Sequence, residues 1–215
     1  MEATASKPYS ELAEAAREFY RRGWVLGTSG NFSAVIARDP LRLAITRSGT
    51  HKGELGAVDF LELDAGGSVV AGDGRPSAET ALHTAIVAAR GAGAVLHTHS
   101  IWSTFLSDRY PGGFEITGYE MLKGLAGVTT HEHREWIPVI GNDQDMGRLS
   151  VEVRGALAAH PACHGFLLLR HGLYTWGTTL ADAVRHVEIL EFLMESVGRA
   201  RYSAPIPEEA APWRS

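Results

Sequence analysis

The sequence predicts an α/β domain whose sheet is mixed or largely antiparallel and carries helices on both faces. Three observations lead there. Segments with the two-residue alternation of strands interleave with segments of helical period. Several strand pairs are joined by short turns, which antiparallel neighbours allow and parallel ones do not. No Gly-rich dinucleotide fingerprint and no P-loop occur, so a doubly wound parallel sheet is disfavoured. The length of 215 residues suits one such unit, assigned to residues 1–200, followed by a Pro-containing tail over 201–215.

The elements follow in order. Residues 10–22 read as an amphipathic helix, with Ser10 as N-cap and Gly23 as its stop. A loop of small polar residues, Gly27-Thr28-Ser29-Gly30-Asn31, precedes strands over 32–37 and 41–46, joined by the turn Arg38-Asp39-Pro40. A second small-residue loop spans 47–53 and leads to short strands near 60–64 and 68–70. Pro76-Ser77-Ala78-Glu79 opens a helix to about Arg90, with Pro ahead of it and Glu in its first turn. The apolar strand Ala94–Thr98 comes next, then a helix over about 100–106, a strand over 114–117 and a helical turn over 120–125. Residues 135–140 read as one strand, 144–159 as a helix, 165–169 and 173–176 as strands, and 179–199 as the last helix. From Ser203 the chain has three Pro, two Glu and no periodicity, the pattern of a loose or draped tail.

Composition narrows the function classes. Twenty Lys and Arg against 25 Asp and Glu leave a net charge of −5, without the basic face that nucleic acid or an anionic membrane would require. One cysteine, Cys163, forms no internal disulfide, and no apolar run approaches the ~20 residues of a membrane span. The first ten residues lack the apolar stretch of a signal peptide, so a cytoplasmic location is expected.

The ten histidines carry the chemistry. His97 and His99 stand two apart at the end of an apolar strand, where side chains i and i+2 share a face. His171 directly follows the buried strand and precedes Gly172, a strand-end position opening into a cleft. Three neutral imidazoles with an open fourth position make a catalytic zinc site. The competing reading is that these are core histidines satisfied by hydrogen bonds. His131 and His133 share the same spacing but lie in the charged stretch THEHRE, which reads as a solvated loop or edge. Glu79 is near enough along the chain to approach the HxH strand, or else serves only as a charge at a helix N-terminus. Glu120 alone reads as a surface residue. Arg47, Lys52 and Arg75 sit in or beside Gly/Ser loops, whose backbone N–H groups with a cation suit a phosphate.

Taken together, TSGNFS (28–33), ITRSGTHKGEL (45–55), RPSAETALH (75–83), AVLHTHS (94–100), GYEMLKGLAGVTTHEHR (118–134), NDQD (142–145) and LLRHGLYTWG (168–177) resemble the class II aldolase/adducin superfamily. Within it the strings SGTHKGEL, GYEMLKGLAG and HGLYTWG resemble the branch that dehydrates methylthioribulose 1-phosphate in methionine salvage. The resemblance covers about residues 8–200. It implies a three-layer α/β/α sandwich, usually a homotetramer with sites at subunit interfaces. It further implies one zinc ion per subunit on His97, His99 and His171, and a sugar phosphate as substrate. Gly30, Asn31, Ser48, Gly49 and Ser77 match the superfamily's phosphate loops, and Lys52 is a companion particular to the branch. Ser77-Ala78 departs from the Ser-Ser common in the aldolases, which removes one phosphate donor. Glu79 falls where the aldolases keep their acid/base glutamate, and Glu120 where the dehydratases keep theirs; animal dehydratases tend to have cysteine in place of Glu79. This chain has both, so the division of labour stays open. The alternatives are a zinc sugar-phosphate aldolase or epimerase of the same superfamily, and a non-catalytic scaffold like the adducin head.

Overall fold

The computed structural model describes residues 7–202. In chain order the elements are α1 (Lys7–Arg21), β1 (Asn31–Arg38), β2 (Leu41–Thr46), β3 (Phe60–Leu63), β4 (Val69–Ala71), α2 (Thr80–Arg90), β5 (Ala94–Thr98), α3 (Ile101–Arg109), β6 (Phe114–Ile116), β7 (Glu135–Ile137), β8 (Val139–Ile140), α4 (Met146–Ala159), β9 (Gly165–Leu168), β10 (Gly172–Gly177) and α5 (Leu180–Tyr202). Eight strands form one sheet in the order β4-β3-β2-β1-β5-β10-β9-β8, and β6 pairs with β7 in a separate ribbon. Every pair in the large sheet is antiparallel except β8 with β9. The mixed, largely antiparallel sheet read from the sequence is therefore observed.

Strand alternation sorts the core into two layers. Leu43, Ile45, Val95, Phe166 and Leu168 point to one face, where they pack with Leu82 and Ile86 of α2 and Leu149 and Val153 of α4. Their neighbours Ala44, Ala94 and Leu96 point to the other, against Leu12 and Phe19 of α1 and Val187 of α5. Leu167 and Leu173 extend that second layer beneath α3 and α5, through Leu106, Leu190 and Leu193. Burying a Leu, Ile or Phe side chain is worth ~1.5–3 kcal/mol, so a one-residue slip of β5 would reverse a large apolar set. The result is a three-layer α/β/α sandwich.

Four assignments differ from expectation. Helix α1 begins at Lys7, so Ser10 lies in its first turn and is not the N-cap. Residues 135–140 are not one strand. Pro138 has no N–H for a ladder, and the chain there changes sheets, β7 pairing with β6 and β8 with β9. The segment after Tyr119 is a 3-10 turn, Glu120–Gly124. Residues 201 and 202 belong to α5, while the tail from Ser203 lies outside the described residues. Among the described residues no helix is long and apolar enough to cross a membrane.

Candidate active site

The site forms where β5, β10, the loop before β1 and the loop after β2 meet. His97, on β5, is fully buried; its ring stacks on Tyr174 of β10 at 3.9 Å and 12°. Its Nδ1–H donates to the Leu173 carbonyl at 2.9 Å, which leaves Nε2 as the free lone pair. His99 sits just beyond β5, held by its backbone N–H on the Trp24 carbonyl at 2.7 Å. His171 occupies the tight link between β9 and β10, with Nδ1 donating to Asn142 Oδ1 at 3.3 Å. The three Nε2 atoms converge, His99 to His97 at 2.8 Å and His97 to His171 at 3.3 Å.

The three ring nitrogens turn on one point, where they meet one another and the Glu79 carboxylate. Burial, then the neighbouring imidazoles, drives the His97 pKa well below the ordinary histidine range. Burial, then His171 and Lys52, bring His99 down to about 4. His97 and His99 are therefore neutral at pH 7, the form in which imidazole ligates a metal. The donor set fits zinc, and a borderline transition ion in general. Gly172 is required here. A Cβ on it would stand 2.0 Å from the Thr98 carbonyl and 3.1 Å from the rings of His97 and His99, so only glycine lets β10 lie so close to the ligands.

Glu79 completes the cluster. It is the N-cap residue of α2, where its charge complements the helix N-terminus, but it makes no capping hydrogen bond. Its side chain turns to the imidazoles, Oε1 lying 3.3 Å from His171 Nε2 and Oε2 3.6 Å from His97 Nε2. Asn31 Nδ2 donates to Oε2 at 2.6 Å. Asn31 is oriented in turn by His83, whose Nε2–H faces Asn31 Oδ1 while Nδ1 accepts from the Ser33 hydroxyl at 2.7 Å. Burial pushes the His83 pKa down to about 3, so this ring is neutral and its tautomer is set by those two partners. Neither His83 nor Tyr174 is marked by the sequence; the hydrogen-bond partners of His83 lie about fifty residues upstream of it and no local pattern announces them.

The Gly/Ser loops close around the same space. A cavity of about 170 Å³ is lined by Gly30, Asn31, Ser48, Gly49, Lys52, Ser77, Glu79 and His99, together with Thr28 and Ser29. It therefore joins every residue matched to the phosphate loops to one metal-site histidine and one carboxylate. Lys52 is buried, with Nζ donating to the Thr28 and Thr50 carbonyls at 3.1 and 3.0 Å; burial lowers its pKa to about 8. The Ser29 hydroxyl is buried in this wall without a hydrogen-bond partner among the described residues, a donor left for something that enters.

Glu120 is not brought to this cavity within one chain. It is exposed, ion-paired with Lys123 at 2.7 Å, and Lys123 holds its carboxyl below the usual range. His131 is exposed as expected, but His133 is not simply a solvated loop residue: its ring turns inward to Glu135 at 2.9 Å. The charged stretch THEHRE reads as a solvated loop or edge because the contact that draws the His133 ring in, to Glu135, is not marked by composition.

Residues 10–197 match the model of the class II aldolase and adducin N-terminal domain. The chain belongs to the class II aldolase and adducin family. The resemblance read from its motifs is thereby borne out. Among its relatives is the methylthioribulose-1-phosphate dehydratase of Marinobacter nauticus, 49% identical over 187 residues, or 86% of this chain and 89% of that one. The enzyme of the same name from Pseudomonas fluorescens is 44% identical over 197 residues, 91% and 94% of the two chains. Among solved structures, L-fuculose-1-phosphate aldolase from Thermus thermophilus superposes with a TM-score of 0.72 at 22% identity, covering 90% of this chain and 94% of that one. A sugar-phosphate aldolase from Thermotoga maritima gives 0.67 at 19%, covering 92% and 96%. At such identities the structures share the fold.

Proposed function

We propose that the chain is a zinc-dependent hydro-lyase that converts 5-methylthioribulose 1-phosphate to 2,3-diketo-5-methylthiopentyl 1-phosphate, the dehydration step of methionine salvage. Support comes from relatives of that name at 44–49% identity over most of both chains. The observation that carries the reading is the single cavity that joins the phosphate loops to Glu79 and His99. A phosphate at one end and a carbonyl at the imidazole end define a short ketose phosphate.

The chemistry follows from the residues. A zinc ion on His97, His99 and His171 would supply Lewis-acid polarisation of the C2 carbonyl oxygen, which acidifies the C3 proton. Lys52, Ser48, the Gly30 and Gly49 backbone and the unpartnered Ser29 hydroxyl anchor the phosphate, which fixes the position of C3. Glu79 lies beside the imidazoles and can hold or pass a proton there; the Asn31 amide, itself fixed by His83, keeps its carboxylate aimed at the site. Glu120 is assigned the acid/base role that the dehydratase motif implies. Because it is exposed on its own chain, it acts where the 118–125 segment of a neighbouring subunit covers the cavity, in a homotetramer. The C3 proton leaves to a carboxylate, a proton goes to the departing C4 hydroxyl, and the enol so formed tautomerises to the diketone.

The test is a substrate panel. Turnover of methylthioribulose 1-phosphate should exceed that of fuculose 1-phosphate and ribulose 5-phosphate in kcat/KM. Preferential turnover of fuculose 1-phosphate would move the chain to the aldolases.

A further inference from the structure

We infer that His133, Glu135 and His164 form a second divalent-metal site, sharing no residue with the His97, His99 and His171 cluster and taking zinc or a transition ion of similar preference. Glu135 heads β7 and is buried; His164 immediately precedes β9; His133 lies in the loop before β7. One donor atom from each lies within 4.8 Å of the others. His133 Nε2 and His164 Nδ1 both aim at the same carboxylate oxygen, Oε2, from 2.9 and 3.0 Å.

The surrounding hydrogen bonds prepare these atoms as ligands. His164 Nε2–H donates to the Ala126 carbonyl at 2.9 Å, so Nδ1, which donates to Glu135 Oε2 at 3.0 Å, is the nitrogen that would ligate once an ion displaces that proton. This mirrors His97, whose Nδ1–H donates to the Leu173 carbonyl and frees Nε2. The second oxygen of Glu135 accepts the His164 backbone N–H at 2.8 Å, which fixes the carboxylate plane and leaves Oε2 for the ion. Two imidazoles and one carboxylate are a donor set that zinc accepts, with a fourth position for water. That position is available. His133 and His164 line an open cavity of about 430 Å³, through which an ion and its water can enter.

The placement also gives the site a task. Glu135 belongs to the β6–β7 ribbon and His164 to the edge of β9 in the large sheet, so an ion between them staples the ribbon to the sandwich. The loop that the ribbon closes, residues 117–134, carries Glu120 and is tied across its mouth by the Gly118 N–H on the His131 carbonyl. The staple would hold this loop without touching substrate.

Equilibrium dialysis of chelator-stripped protein against micromolar zinc, with elemental analysis, tests this without any activity. Wild type should hold two ions per chain, His133→Ala one, and the His97→Ala/His99→Ala double variant one. His133 is partly exposed, so its truncation leaves the fold intact, checked by circular dichroism. Hydrogen exchange should show the 117–134 loop slowed by zinc in wild type and in the double variant, but not in His133→Ala. Wild type saturating at one ion, lost in the double variant, would overturn the second site. So would His133→Ala retaining two. The ion count of the double variant reports separately on the histidine trio, so failure of one site is distinguishable from failure of the other.

Discussion

Replacing Glu191 by Gln should change how stability depends on pH, by an amount the structure sets. Glu191 lies on α5, only 2% exposed, and accepts the Thr98 hydroxyl at 2.6 Å. Thr98 stands between His97 and His99, so this carboxyl braces the end of β5 from behind. Burial, reinforced by Glu195 and opposed by the Ser100 and Thr98 hydroxyls, raises its pKa from the usual 4.5 to about 7. The folded protein therefore keeps the proton that the unfolded chain releases above 4.5. Stability from this group is greatest below the unfolded value, falls as pH rises through the window from 4.5 to about 7, and is flat above it. At about 1.4 kcal/mol per pH unit, the fall between about pH 5 and about pH 8 is about 3 kcal/mol. Gln keeps the shape and an acceptor for Thr98 and has no proton to lose. Urea unfolding of the chelated proteins across that range should show wild type losing about 3 kcal/mol relative to Glu191→Gln. A difference that stays constant with pH would refute the reasoning, since it would mean that Glu191 titrates alike in both states.

Other expectations bear on the site. His97→Ala, His99→Ala and His171→Ala should each lose the zinc of the trio, read by elemental analysis, together with activity. Lys52→Met retains the buried stem but removes the charge; loss of one charge-assisted phosphate contact, worth ~1.5–3 kcal/mol, should raise KM about 10- to 100-fold with a smaller effect on kcat. Unchanged KM would take Lys52 out of the phosphate site. Glu120→Gln should keep fold and zinc and lower kcat by ~10²–10⁴-fold, with Glu79→Gln affected less; the reverse order in C3-proton exchange would make Glu79 the base and favour the aldolase reading.

Much of the architecture was legible because it depends on local alternation. β5 was located to the residue: a short apolar run stands between Gly93 and the N-cap Ser100, and its partners on both sides alternate in register with it. The HxH pair and His171 were legible for the same reason, each being anchored to a strand end. What escaped depends on contacts far apart in sequence. His83 looks like one more residue of α2, and its value comes from Asn31 and Ser33 on β1, about fifty positions away. Tyr174 looks like a core aromatic until the β5–β10 register sets it against His97. Pro138 was overlooked as a divider because the residues on either side are apolar and strand-like. Glu120 illustrates a different limit: its motif points to catalysis, whereas its surroundings in one chain are Lys123 and solvent.

The central claim is a dehydration carried out at the histidine trio and its phosphate cavity. It is tested most directly by following methylthioribulose 1-phosphate with the zinc-loaded protein in deuterated water by NMR. The expected product is a 2,3-diketone with an intact five-carbon chain and one deuteron at C4, where the enol is protonated by solvent. His97→Ala should give no product. Cleavage between C3 and C4, releasing dihydroxyacetone phosphate and a methylthio aldehyde, would contradict it, as would a wild-type protein that binds zinc and leaves the substrate unchanged.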